Sequence, residues 1–108
     1  MSEELNDNGP IVIDREKQKE KQKLQPPSKY KVVVLNDDFT PVDFVAELMV
    51  KLFQKSLEEA QRITMEIHTK GKGVAGIYPK DIAETKAAQV DATAQNYGHP
   101  LKSEVEEE

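Results

Sequence analysis

Residues 30–53 carry the pattern that most constrains this chain, an apolar strand that stops at short polar residues and restarts as a helix. Residues 32–35 form a run of Val and Leu, which favours a buried strand. Asn36, Asp37 and Asp38 follow it directly. Each of these side chains can bond its own backbone, which favours a turn over a continued strand. The sequence therefore predicts a strand that delivers three polar groups to the start of a helix.

The helix after this junction is predicted from Pro41 to Gln54. Thr40 suits the N-cap, Pro41 suits the first helical position, and Asp43 suits the positive end of the helix dipole. Apolar residues recur every three or four positions, which predicts a core-facing stripe of Val45, Leu48, Met49, Leu52 and Phe53.

A second helix is predicted after a very short connection, because Ser56 and Glu59 form a capping-box pattern. Helices joined so tightly pack antiparallel, so the end of the second helix returns toward the start of the first. Its inner face is predicted to be Ala60, Ile63 and Ile67. Gly71 and Gly73 end it shortly after His68.

The remaining elements complete a small α+β fold. Val74 to Tyr78 reads as a short strand with a bulge or close backbone approach at Gly76, and a third helix opens at residues 79–81. Leu101 to Val105 reads as an edge strand. The stripe of the third helix is Ala83, Ala87, Val90, Ala94 and Tyr97. We therefore expect a sandwich of a three-stranded antiparallel sheet with three helices on one face, in the order β-α-α-β-α-β.

Composition divides the 108 residues into three parts: a flexible N-terminal extension at 1–27, a folded domain at 28–105 and an acidic tail at 106–108. The chain has no Cys and no long apolar run, so we expect a cytoplasmic protein without disulfides or a membrane span. Its net charge of −5 and few aromatic residues argue against nucleic-acid binding.

Three groups are the candidates for chemistry, namely Asn36-Asp37-Asp38, Thr40 and His68, because the antiparallel helices would bring the imidazole toward the polar junction. Taken singly, these residues also fit turn and helix-end roles. Asp37, Asp38 and His68 could instead hold a divalent cation or act in acid–base catalysis, but no nucleophile or phosphate loop accompanies them.

A free α-amino group suits this set of residues best. At neutral pH it is mostly an ammonium with three donors, and the amide, carboxylate and imidazole supply acceptors. Val42, Val45 and Ile67 lie beside them in the expected fold, so a bulky side chain could be buried next to the ammonium. The sequence thus favours a binding module for peptides with a free amino terminus and a large apolar first residue.

Several stretches resemble the ClpS family of adaptors, which carry N-degron substrates to a bacterial Clp unfoldase. The segment PPSKYKVVVLNDDFTPVDFV is similar to the family's first strand and substrate loop. The segment HTKGKG, which begins at His68, is similar to the family's histidine and the glycine-containing turn after it. AETKAAQV, from Ala83 to Val90, is similar to the third helix, and His99-Pro100-Leu101 closes the match. The resemblance covers about Pro26 to Leu101.

The resemblance implies a role for each matching residue. Asn36, Asp38 and His68 would hold the substrate's α-amino group. The side-chain pocket would be lined by Thr40, Val42, Val45, Thr64, Ile67 and Leu101. Asp81, Glu84 and Lys86 would contact the N-domain of a ClpA-type AAA+ unfoldase. The unfoldase would also engage the N-terminal extension. The family accepts N-terminal Leu, Phe, Tyr and Trp for degradation by ClpP, which implies no enzymatic activity, cofactor or metal.

Two departures from the family concern the pocket. Val42 and Thr64 stand where many members have Met, so the exclusion of N-terminal Ile and Val by this chain is left open. Two alternative functions also stay open at this stage. One is a protein-interaction domain like that of the ribosomal stalk, and the other is a small metal-dependent hydrolase.

Overall fold

The computed structural model of the protein describes residues 28–108. Its elements are β1 (Lys29–Leu35), α1 (Val42–Phe53), α2 (Leu57–Lys70), β2 (Lys72–Pro79), α3 (Lys80–Asn96) and β3 (Lys102–Glu107). This order confirms the predicted β-α-α-β-α-β path. The expected extension at 1–27 lies outside the described residues.

The sheet is antiparallel, with β1 in the centre between β2 and β3. The register of β1 against β2 shifts between Val32 and Val33, which pair with Gly76 and Val74. Ala75 is therefore the extra residue of a β-bulge. The irregularity predicted at Gly76 is confirmed, and a Cβ at Gly76 would lie only 2.7 Å from the Tyr78 ring.

The core lies between the sheet and the three helices, which pack on one face of it. Val32 and Val34 of β1 are fully buried in one apolar cluster with residues of all three helices. Burying each such side chain stabilises the fold by about 1.5–3 kcal/mol. The predicted stripes supply the helical part, which consists of Val45, Leu48, Met49, Phe53, Ala60, Ile63, Ile67, Ala83, Ala87, Val90 and Ala94.

The prediction that Tyr97 belongs to the core stripe of α3 was wrong. The helix ends at Asn96, and Tyr97 is its C-cap residue with 68% of its surface exposed. The helical spacing no longer applies beyond the last turn, so the side chain leaves the core. Its ring lies against Phe44 instead, with 5.4 Å between ring centroids.

The tight connection between α1 and α2 forms as the sequence predicts. Gln54 ends α1 in the left-handed conformation, and the Ser56 hydroxyl oxygen accepts the Glu59 amide at 3.1 Å. Only residues 54–56 separate the two helices, so they run antiparallel.

The end of α2 is fixed to the end of β1. Gly71 has φ +91°, a left-handed conformation that suits glycine, and its amide donates to the Ile67 carbonyl at 3.0 Å. Its own carbonyl accepts the Asn36 amide at 2.9 Å. This bond places the last turn of α2, which carries His68, beside the residues that follow β1.

Two strands are longer than the sequence suggests. β2 covers Lys72–Pro79 rather than Val74 to Tyr78, and β3 covers Lys102–Glu107 rather than Leu101 to Val105. Both strands are longer because β1 offers backbone hydrogen-bonding partners along its whole length. Charged residues at their ends therefore pair with β1, although the sequence there shows no alternation of apolar and polar residues. Within residues 28–108, no helix is long and apolar enough to cross a bilayer.

Candidate functional site

The loop between β1 and α1 folds around the carboxylate of Asp37. Its Oδ1 accepts the backbone amides of Phe39 at 2.7 Å and Thr40 at 3.2 Å, and the Thr40 hydroxyl donates to Oδ2. Short acidic side chains form such bonds to amides two or three residues ahead and so close a turn. The turn predicted after the strand is confirmed, and Asp37 is the residue that organises it.

The pKa of the Asp37 carboxyl lies below its ordinary value. Partial burial raises the pKa of this carboxyl. The hydrogen bonds from the Thr40 hydroxyl and from the Phe39 and Thr40 amides lower it by more, and the electrostatic effect of His99 lowers it further. These donors favour the charged form of the carboxyl. The ionised carboxylate is therefore the species that holds the loop.

The predicted role of Thr40 as N-cap of α1 was wrong. The helix begins at Val42, and Pro41 is its N-cap with extended backbone angles and no side-chain cap. The Thr40 hydroxyl donates to the Asp37 carboxylate, and this charge-assisted hydrogen bond holds the side chain in the loop. Thr40 is buried, so this bond joins the polar loop to the folded body.

The structure brings all nine residues predicted to bind substrate into the lining of one cavity of about 130 Å³. The cavity lies between the loop that follows β1, the helices α1 and α2, and the residue before β3. We call this cavity the loop pocket. It is lined by Asn36, Asp37, Asp38, Thr40, Val42, Val45, Thr64, Ile67, His68 and Leu101.

The loop pocket is polar at its mouth and apolar in its interior. Asn36, Asp38 and His68 are exposed. The interior is lined by buried residues, namely Thr40, Val45, Thr64, Ile67 and Leu101. Val42 stands between these groups, with 49% of its surface exposed. A ligand would thus meet polar groups on entry and apolar contacts beyond them.

Thr64 is the second polar residue in the buried part of the pocket. Its hydroxyl donates to the Ala60 carbonyl at 2.7 Å, one turn earlier on α2. That donor is therefore already used within the helix. The site gains less polarity from Thr64 than its residue type suggests.

The chemistry of the mouth is that of a cation binder. Asn36 offers an amide oxygen, Asp38 a carboxylate and His68 a ring nitrogen. All three side chains are exposed, so their acceptors are accessible to a ligand. Residues 28–108 also contain no group of three or more His, Cys, Asp or Glu side chains placed to hold a metal ion.

Two features of the site were missed at the level of sequence. Asp37 was predicted as a turn residue and as one of the polar candidates, but the bond by which it fixes the loop to Thr40 was not predicted. Phe39 received no role, although its side chain is 82% exposed within this loop. The spacing of Asp37 to Thr40 was the signal for the first, because an Asp three residues before a Thr-Pro pair suits a closed turn.

The residues predicted to contact an unfoldase lie on α3. Asp81 and Glu84 are exposed, which suits a contact surface. Lys86 is half-buried, and its Nζ donates to the Leu52 carbonyl at 2.6 Å. Its Nζ also lies 6.0 Å from the ring centroids of both Phe53 and Tyr78. This lysine therefore supports the end of α1 as well as facing the surface.

Residues 25–104 match the family model described as ATP-dependent Clp protease adaptor protein ClpS. The chain is 49% identical over 90 residues to the ATP-dependent Clp protease adapter protein ClpS of Burkholderia thailandensis, covering 83% of this chain and 86% of that protein. The same values hold for the ClpS of Burkholderia cenocepacia.

A solved structure has the same fold. It is Agrobacterium tumefaciens ClpS2 bound to L-phenylalaninamide, which aligns with a TM-score of 0.74 and 38% sequence identity. The alignment covers 76% of this chain and 99% of that one.

Proposed function

The chain belongs to the ClpS family of adaptors of the ATP-dependent Clp protease, and from this premise we propose that it selects substrates by their first residue. The observation that carries the proposal is the loop pocket, in which exposed polar acceptors and a buried apolar lining share one cavity. The substrate class is proteins with a free α-amino group and a first residue of Leu, Phe, Tyr or Trp.

The polar mouth binds the α-ammonium group. Asn36 and a neutral His68 accept hydrogen bonds from it, while the Asp38 carboxylate supplies the opposite charge directly or through water. Each hydrogen bond to a charged group contributes about 1.5–3 kcal/mol. An ammonium has three donors, which matches three acceptors at the mouth.

The interior takes the first side chain. A cavity of about 130 Å³ is smaller than the roughly 300–1,000 Å³ of pockets for whole small molecules, so its size suits one side chain rather than a larger ligand. Burying a Leu- or Phe-sized group there contributes about 1.5–3 kcal/mol. One such hydrogen bond or the side-chain burial alone falls well short of the roughly 8 kcal/mol of a micromolar complex, so tight binding needs the polar contacts and the buried side chain on one ligand.

The ligand of the related ClpS2 has both features. L-phenylalaninamide carries a free α-amino group and an aromatic side chain, and its amide stands in for the first peptide bond of a protein. The proposal transfers this ligand chemistry to the loop pocket of the present chain.

Delivery to the unfoldase is the second half of the proposal. Asp81 and Glu84, with the outer part of Lys86, contact the N-domain of a ClpA-type unfoldase, which passes the substrate to ClpP. Residues 28–105 act as the adaptor domain and residues 1–27 as the segment that the unfoldase engages. The chain itself binds and delivers, and catalysis belongs to its partner.

A peptide panel tests the recognition step. Peptides that differ only in their first residue are titrated against the full chain by fluorescence anisotropy. We expect about micromolar or tighter binding for Leu, Phe, Tyr and Trp, and at least about tenfold weaker binding for Ala and Asp. Affinity independent of the first residue would refute the pocket assignment.

Variants of the mouth provide the matching control. Asp38→Ala and His68→Ala should each weaken binding of the Leu peptide by about tenfold or more, since each loses a bond to a charged group. Both residues are exposed, so the melting temperature should change little. Glu104→Ala, an exposed carboxylate on β3 outside the loop pocket, should bind like the unmodified chain.

A further inference from the structure

The outer face of the α1–α2 hairpin carries an apolar groove that begins at the loop pocket. We call it the hairpin groove. Its apolar walls are formed by three residues of α1 at four-residue spacing, Val42, Ala46 and Val50, and by Leu57 and Met65 of α2, with Gln61 between them. The polar part of the lining consists of Asp43, Glu47, Lys51 and Thr64. Residues four positions apart lie on one face of a helix, so each set forms one wall.

The hairpin groove consists of two depressions that join end to end. The first, of about 330 Å³, lies between Val42 and Met65, and the second, of about 420 Å³, lies between Val50 and Leu57. Asp43, Ala46 and Gln61 line both of them. The antiparallel helices thus form one continuous trough rather than two separate hollows.

The walls of the hairpin groove carry several exposed apolar side chains next to one another. Leu57 is 66% exposed, Met65 55% and Val50 37%. Single exposed apolar residues are ordinary, but a contiguous row of them marks an interaction site. None of these residues belongs to the core cluster, so the fold does not require them to be apolar.

Continuity with the loop pocket identifies the occupant. Val42 and Thr64 line both the loop pocket and the first depression, so the groove starts at the mouth of the pocket. A protein whose first side chain fills the pocket must continue from that mouth. From Val42 to Val50 the groove is about 12 Å long at ~1.5 Å per helical residue, which accommodates three or four residues of an extended peptide at ~3.3 Å each.

We propose that the hairpin groove binds the substrate segment that follows the first residue, with apolar side chains at positions 2–5 contacting Val50, Leu57 and Met65. This inference rests on the proposed function, because it requires the first residue to occupy the loop pocket. It makes the adaptor sensitive to a short apolar stretch of sequence, in addition to the terminal residue itself.

The test compares a short ligand with a long one on the full chain. Leucinamide reaches only the loop pocket, whereas a peptide that begins Leu and carries apolar residues at positions 2–5 also reaches the groove. We expect Met65→Ser and Leu57→Ser to weaken the long peptide about three- to tenfold and to leave leucinamide unchanged. Both positions are exposed, so the variants should fold normally.

Ile82→Ser is the matched control, because Ile82 is an exposed apolar residue on α3 outside the groove. It should bind both ligands like the unmodified chain. A peptide with serine at positions 2–5 should bind all variants equally. If the groove variants bind the long apolar peptide as tightly as the unmodified chain does, the groove serves another partner and the inference is overturned.

A photocross-linking measurement locates the segment directly. A Leu peptide with p-benzoylphenylalanine at position 3 should cross-link to residues 57–65 of α2, as mapped by mass spectrometry. Cross-links confined to α3 or the sheet would contradict the inference even where leucinamide binds normally. Absence of leucinamide binding would instead refute the proposed function of the loop pocket.

Discussion

Replacing Asp37 by alanine tests how the binding loop is held. The carboxylate accepts two backbone amides and the Thr40 hydroxyl. The Phe39 amide lies in an exposed part of the loop and can turn to water, so its loss costs about 0.5–1.5 kcal/mol. Thr40 is buried, and leaving its groups without a partner costs about 1–3 kcal/mol.

Together these losses amount to about 1.5–4.5 kcal/mol, and because solvent screens the carboxylate we expect the lower half of that range. The free energy of unfolding from urea denaturation, followed by circular dichroism, measures it. Asp43→Ala is the control, since an exposed carboxylate in the first turn of α1 contributes only about 0.3–1 kcal/mol through the helix dipole.

The pH dependence gives the same prediction a second test. The pKa of Asp37 in the folded protein is lowered from the ordinary 3.8, so its contribution to stability is present above that value and is lost as the pH falls through the folded-state pKa. The difference between the unmodified chain and Asp37→Ala should be constant above about pH 5 and shrink below it. Equal urea midpoints at neutral pH, or a difference that persists in acid, would refute the reasoning.

Two further substitutions test the pocket rim and α3. Val42→Met places a longer side chain at the half-exposed rim of the loop pocket. It should weaken the binding of peptides that begin with β-branched Ile or Val by about tenfold, with little change for Leu, since one or two methylenes decide such fits. An unchanged ratio of the affinities for Ile-first and Leu-first peptides in anisotropy titrations would contradict this. Lys86→Met removes the donor to the Leu52 carbonyl and should lower the free energy of unfolding by about 1–2 kcal/mol, whereas exposed Glu84→Gln should not. Equal urea midpoints for the two α3 variants would show that the lysine has no structural role.

The fold was predictable because its signals are local. Apolar spacing placed the stripes of all three helices, and Ser56 with Glu59 marked the start of α2. Gly71 marked the end of α2, and its left-handed φ of +91° is the conformation that favours glycine at a helix end. A capping residue and a helical stripe both act within a few positions, so the sequence contains the necessary information.

The errors arise where a tertiary partner competes with a local preference. Thr40 has a good capping side chain, but its hydrogen bond to the Asp37 carboxylate holds it in the loop, and the helix begins at Val42. The sequence assigns Lys86 only a contact with a partner, whereas its Nζ also donates to the Leu52 carbonyl at the end of α1. Strand β3 continues to Glu107 because β1 offers it partners, despite the run of charge.

The candidate site was predictable in part. The polar junction and the antiparallel hairpin placed His68 near Asn36 and Asp38, and the three residues line one cavity. The hairpin groove could not be predicted in the same way, because its walls come from two helices whose relative depth depends on packing. Val50 and Leu57 each read as an ordinary surface residue until the other is placed beside it.

The central claim is that one pocket holds a charged chain end and its bulky side chain together, and acetylation of a single peptide tests it most directly. A Leu-first peptide and its N-acetylated form differ only in the ammonium group. Loss of two charge-assisted hydrogen bonds should weaken binding by about a hundredfold or more in a calorimetric titration. Equal affinity for the two peptides would contradict the account.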